Sequence, residues 1–61
     1  MDLEYLKDYV EEAIIDYPSL ESDLIGLWDL AVMEVEQGES EYREVEHAVH
    51  DIDDLIQEYL K

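Results

Sequence analysis

The residues of this chain best equipped for chemistry lie together in the run HAVHDIDD, residues 47–54. His47, His50, Asp51 and Asp54 are spaced by threes and fours, which on a helix projects all four from one face, and imidazole with carboxylate is a donor set for a divalent metal. The stripe of Val45, Ile52 and Leu55 takes the opposite face of that helix. The quartet is therefore expected in solvent, with no cavity and nothing to orient the imidazoles, both of which a metal site of useful affinity needs. Neither metal nor cofactor is expected there, and the neighbouring carboxylates leave the histidines at most a mild pH response. Asp51, Asp53, Asp54 and Glu58 resemble a calcium loop only superficially, because the segment keeps a strong helical period and lacks the glycine of that loop's sharp turn. Nucleophilic catalysis has less to start from: there is no cysteine, and Ser19, Ser22 and Ser40 fall at helix starts where capping accounts for them. No phosphate-cradling glycine loop occurs, and carboxylate pairs are so frequent that none is distinguished. No enzyme activity is expected.

Charge is more informative than any motif. Nineteen Asp and Glu stand against three Lys and Arg, a formal net charge of −16. Such a surface repels nucleic acid and anionic membranes and attracts basic faces of other proteins. Acidity also serves plain solubility or a salty environment, so charge alone leaves that alternative open. The acids are spread through hydrophobically patterned segments, which points to a folded chain rather than an acidic tail. Tyr5 and Tyr9 fall in a row with Glu12 and Asp16 on the back of the first helix, and tyrosine within an acidic rim suits contact with Arg and Lys. Glu36 and Glu39 lead into Glu41, Glu44, Asp51 and Asp54 on the outer side of the third helix. Carboxylates three or four residues apart on a helix lie ~5–6 Å apart, comparable with the ~3.4 Å rise per phosphate of one nucleic-acid strand. A rod of helices so decorated can imitate a phosphate backbone, and these acids with the two tyrosines form the predicted partner-binding set.

The elements that must position these residues are three helices. A chain of 61 residues makes one domain, residues 1–61, and buries too little surface to be more than marginally stable. Without cysteine or a zinc array, oligomerisation is the remaining reinforcement. Met1-Asp2-Leu3-Glu4-Tyr5 is not a signal peptide and no apolar run approaches a membrane span, so a cytoplasmic protein is expected. Asp2 can cap a helix whose Leu3, Leu6, Val10, Ala13, Ile14 and Tyr17 share a face, and Pro18 ends it. Ser19 opens a second helix with a stripe of Leu20, Leu24, Leu27, Trp28, Ala31 and Val35, stopped at Gly38. Ser40 caps a third, along which Val45, Ala48, Val49, Ile52, Leu55, Ile56, Tyr59 and Leu60 form the cleanest stripe. With no period-two run, the fold is predicted to be an all-α three-helix bundle over residues near 2–17, 19–37 and 40–60. On the far side of helix two lie Ser22, Gly26, Leu30, Met33 and Gln37, none of them charged. Either helix two is sandwiched between its neighbours in a flat arrangement, or a second copy or a partner covers this side, the expectation being a homodimer.

From about residue 24 to 56, WDLAVMEVEQGES followed by EVEHAVHDIDDLI resembles short acidic helical bacteriophage proteins of unknown function. The resemblance lies in the order Trp-Asp-Leu, Glu-x-Glu-x-Gly-x-Ser and then Glu, six residues, Asp-Ile. It brings no catalytic residues; it implies a phage-type protein that occupies host nucleic-acid-binding or defence proteins. The expected function is therefore to bind and block a basic surface of a host protein. The alternative is a structural, adaptor or immunity-type module that docks through the apolar face of helix two.

Overall fold

Asp2 starts the first helix as its side-chain type predicts, its carboxylate accepting a 2.9 Å hydrogen bond from the Tyr5 N–H. In the computed structural model, which describes residues 1–61, the chain forms α1 (Leu3–Asp16), a 3-10 turn (Pro18–Leu20), α2 (Glu21–Glu36) and α3 (Glu41–Leu60). Pro18 disfavours helical backbone at Tyr17, which turns out to φ −134° and ψ 68°. The expectation for the start of the next helix needs correction. Neither Ser19 nor Ser22 caps it: Leu20 holds the cap position with no side-chain bond. Its side chain is instead drawn into the core, and the proline-led turn feeds straight into α2.

The end of α2 follows glycine chemistry. Gly38 takes φ 102°, a left-handed conformation that disfavours residues with a Cβ. This lets the Gly38 N–H reach the Val35 carbonyl at 3.0 Å and the Glu39 N–H reach that of Glu34 at 3.1 Å, the pair of bonds that closes a helix C-terminus. Ser40 then caps α3, its hydroxyl accepting from the Arg43 N–H at 3.3 Å.

Two contacts fix the topology. At one end the Glu41 carboxylate accepts a 2.7 Å bond from the Leu3 N–H; at the other the Tyr17 and Tyr59 rings meet edge to face at 5.9 Å. Hence α1 and α3 run parallel and α2 returns between them. All three helix pairs are in contact, so the bundle is triangular and not the flat sandwich considered above. The core is small: nine buried residues, with Leu6, Leu24, Val45 and Ile52 the largest fully enclosed. Each matters, because truncating one large aliphatic costs about 2–5 kcal/mol against the ~3–9 kcal/mol available to a domain of this size. No helix is long and apolar enough to cross a membrane.

Candidate functional site

A triangular bundle has three seams, and the sequence decides what lines each. No charged side chain is buried. The nineteen carboxylates are met by a single salt bridge, Lys61 Nζ to Glu58 Oε1 at 3.2 Å and largely exposed. The acid surface is therefore almost uncompensated within the chain.

The α1/α3 seam brings together much of the predicted tyrosine row. Tyr9, Glu12 and Asp16 border one recess with Ala13, Tyr17 and Ile56, and Tyr5 stacks on Tyr9 with ring centroids 6.1 Å apart. Tyr9, however, is not the exposed ring that was expected. It is half-buried, and its hydroxyl donates a hydrogen bond to the Asp53 carboxylate across the seam. That bond, followed by burial and the negative charge of Asp53, pushes the phenol up to about 12 from 10.0. Tyr9 is thus a tie between α1 and α3, and Tyr5, Glu12 and Asp16 remain the exposed part of the row. Glu41 is exposed, and its carboxylate also accepts the Leu3 N–H at the start of α1, where a negative charge suits the helix dipole.

The α2/α3 seam is different. Near the α2–α3 connection a recess of about 150 Å³ is bordered by Leu27, Leu30, Ala31 and Ala48 on its apolar side and by Glu34, Glu44, His47 and Asp51 on its polar side. Beyond it a wider, open trough of about 510 Å³ runs past Ser22, Asp23, Gly26, Asp54, Leu55 and Glu58. Leu27 and Asp51 belong to both, so the two form one groove along the seam. Across it Glu34 faces Glu44, and its capacity to accept a hydrogen bond from the protonated Glu44 carboxyl raises Glu44 above the ordinary carboxylate value of 4.5; desolvation and Glu34's charge add to this, while His47 opposes it. Two carboxyls so close disfavour simultaneous ionisation.

No known protein family, curated protein or solved structure matches this chain.

The histidine–aspartate quartet does not act as a unit. His47, Asp51 and Asp54 border the α2/α3 groove, His50 is exposed outside it, and no three His, Asp or Glu side chains converge as metal ligands would. Of the predicted partner-binding acids, Glu44, Asp51 and Asp54 line the groove, whereas Glu36 and Glu39 are exposed at the turn into α3. Three groove acids were missed: Asp23, Glu34 and Glu58. The uncharged face of α2 is exposed along Ser22, Gly26, Leu30, Met33 and Gln37. Leu30 and Met33 each keep 47% of their surface accessible, so the chain's own bundle leaves this side largely open.

Proposed function

We propose that this is a phage-type protein that binds and blocks a basic surface of a host nucleic-acid-binding or defence protein, imitating duplex charge, without catalysis of its own. Its charge per unit length supports this reading. The molecule is a rod of 35 × 17 × 17 Å carrying a net −16. A DNA duplex of the same length carries about 20 phosphate charges at one per ~1.7 Å of axis. A basic groove shaped for duplex thus meets nearly the same charge over the same length, on a scaffold whose acids have few internal partners. The resemblance of residues 24–56 to acidic phage proteins agrees with a host target, and three helices place the rod's carboxylates without the flexibility of an acidic tail.

A test is to immobilise the protein, pass a bacterial lysate over it, and elute in parallel with rising salt and with competing duplex DNA. A nucleic-acid-binding protein released by both is the expected result. Retained proteins that resist both, or the absence of any, would sink the charge-mimic reading. The exposed Leu30, Met33 and Ile25 favour a second reading, in which α2 docks hydrophobically on a partner or on a second copy. That contact would hold or strengthen as salt rises.

A further inference from the structure

We infer that the α2/α3 groove is the docking site for a basic amphipathic helix of the partner, whose apolar stripe seats on Leu27, Leu30 and Leu55 while its lysines and arginines reach the carboxylates on both walls. The inference rests on the basic-partner reading above and assigns it a place. Length comes first: the groove runs from Ser22 to Glu34 along α2 and from Glu44 to Glu58 along α3, about 18–21 Å at 1.5 Å per residue, or three to four helical turns. Its floor is half-buried at Leu27 and Leu55, and at Gly26, where an added Cβ would meet nothing within 4 Å, there is open space in which a backbone can approach.

Charge then selects the occupant. Asp23 and Glu34 stand on the α2 wall and Glu44, Asp51, Asp54 and Glu58 on the α3 wall; of these six only Glu58 is in a salt bridge, and the one basic side chain lining the groove is His47, beside Glu44. The other seams lack this combination. The α1/α2 recess holds Lys7 beside Glu11, and the α1/α3 recess has carboxylates on its α1 wall alone, Glu12 and Asp16, Asp53 of α3 being engaged by Tyr9. A second copy of the chain would bring another net −16 against these walls, which argues against self-association in this groove. A Lys or Arg of the occupant would also offset the negative charge that Glu34 and Glu44 bring together across the groove. Helix-in-groove recognition uses this division between an apolar seat and charged flanks.

The test uses a labelled peptide of about 16 residues, enough for four turns, with leucines at i, i+3, i+4 and i+7 and lysine and arginine elsewhere. Its scrambled isomer and an oligolysine of equal charge are the controls. Fluorescence anisotropy is read at about 0.15 M salt, where screening confines charge effects to ~8 Å. The amphipathic peptide should bind about tenfold more tightly than the scramble. The pair Asp51→Lys and Asp54→Lys, both exposed, should weaken it about tenfold, while Glu4→Lys with Asp8→Lys, exposed on α1 and the same change of net charge, should alter it less than about threefold. Amide shift changes on binding should centre on Gly26, Leu27 and Leu55. Equal loss from the two variant pairs, or equal binding of the scramble, would overturn the groove and leave the basic-partner reading standing. Failure of every cationic probe to bind even at low salt would overturn both.

Discussion

Tyr9 and Glu44 take their chemistry from carboxylates on a neighbouring helix, and each makes a pH-dependent prediction of its own. Because folding raises the Tyr9 phenol from 10.0 to about 12, the native state keeps a proton that the unfolded chain loses in that interval. The bond to Asp53 therefore contributes stability in full below pH 10 and loses it as pH rises toward 12. Tyr9→Phe should cost about 1 kcal/mol at neutral pH, and the gap between variant and wild type in thermal melts should close through that alkaline window; a constant gap would mean that packing accounts for the loss. Glu44 is an acid whose folded value lies above 4.5, so here too the folded state holds the proton more tightly. Its favourable contribution is present at acid pH and disappears as pH rises through the folded value, leaving repulsion with Glu34, added to by Glu39 and offset in part by His47. Glu34→Gln should consequently raise the melting temperature at pH 7 and have little effect near pH 4. An equal effect at both would show that the carboxyl pair is not responsible.

Helix ends carry the next set of expectations, because their signals are local. Gly38 at φ 102° should not tolerate a side chain: Gly38→Ala is expected to cost about 1–2 kcal/mol in denaturant melts, and no loss would imply that the Glu34 and Val35 carbonyls find other partners. Gly26 should behave in the opposite way, since a Cβ there meets nothing within 4 Å and alanine gains about 1 kcal/mol of helix propensity. Gly26→Ala that lowers the melting temperature would count against this account of the site. Asp2, Gly38 and Ser40 were legible in the sequence because each acts on backbone within a few residues, and the apolar stripes were legible because burial imposes a 3.6-residue period. Tyr9 was not. Three steps of 100° place it about 60° round from Leu6, a boundary position whose exposure depends on which helix lies alongside. Glu41 bonds a backbone N–H 38 residues away, which no local pattern encodes. Asp23, Glu34 and Glu58 each look solvent-facing on their own helix, and only the packing of α2 on α3 aligns them into walls. Flat and triangular bundles ask for nearly the same stripes, so the bareness of the α2 outer face emerged only from the packing.

At the scale of the whole molecule, a net charge of −16 on a body 17 Å across opposes both folding and self-association, and salt should act on each. The screening length falls from ~10 Å at 0.1 M to ~3 Å at 1 M, less than the width of the bundle, so the monomer should melt at a higher temperature as salt is raised. Dimerisation through Ser22, Gly26, Leu30, Met33 and Gln37 must overcome the repulsion of two such bodies. A standard interface of about 800 Å² per partner would take about a fifth of the 4212 Å² surface, more than the outer stripe of one 16-residue helix supplies. A dimer built on this face would accordingly be weak and salt-promoted. Sedimentation should show monomer in low salt and at low concentration, with a heavier species growing as either increases. Leu30→Glu with Met33→Glu should abolish that species and leave helicity unchanged, both side chains being exposed. A dimer that persists in this variant would move the contact elsewhere, and monomer at every salt and concentration would leave α2's apolar face to a different protein. Either result bears on the groove as well, because Ser22, Gly26 and Leu30 also border it: a second copy seated on α2 and a basic helix seated on α2/α3 compete for the same residues, so the peptide should dissociate any dimer that salt has formed.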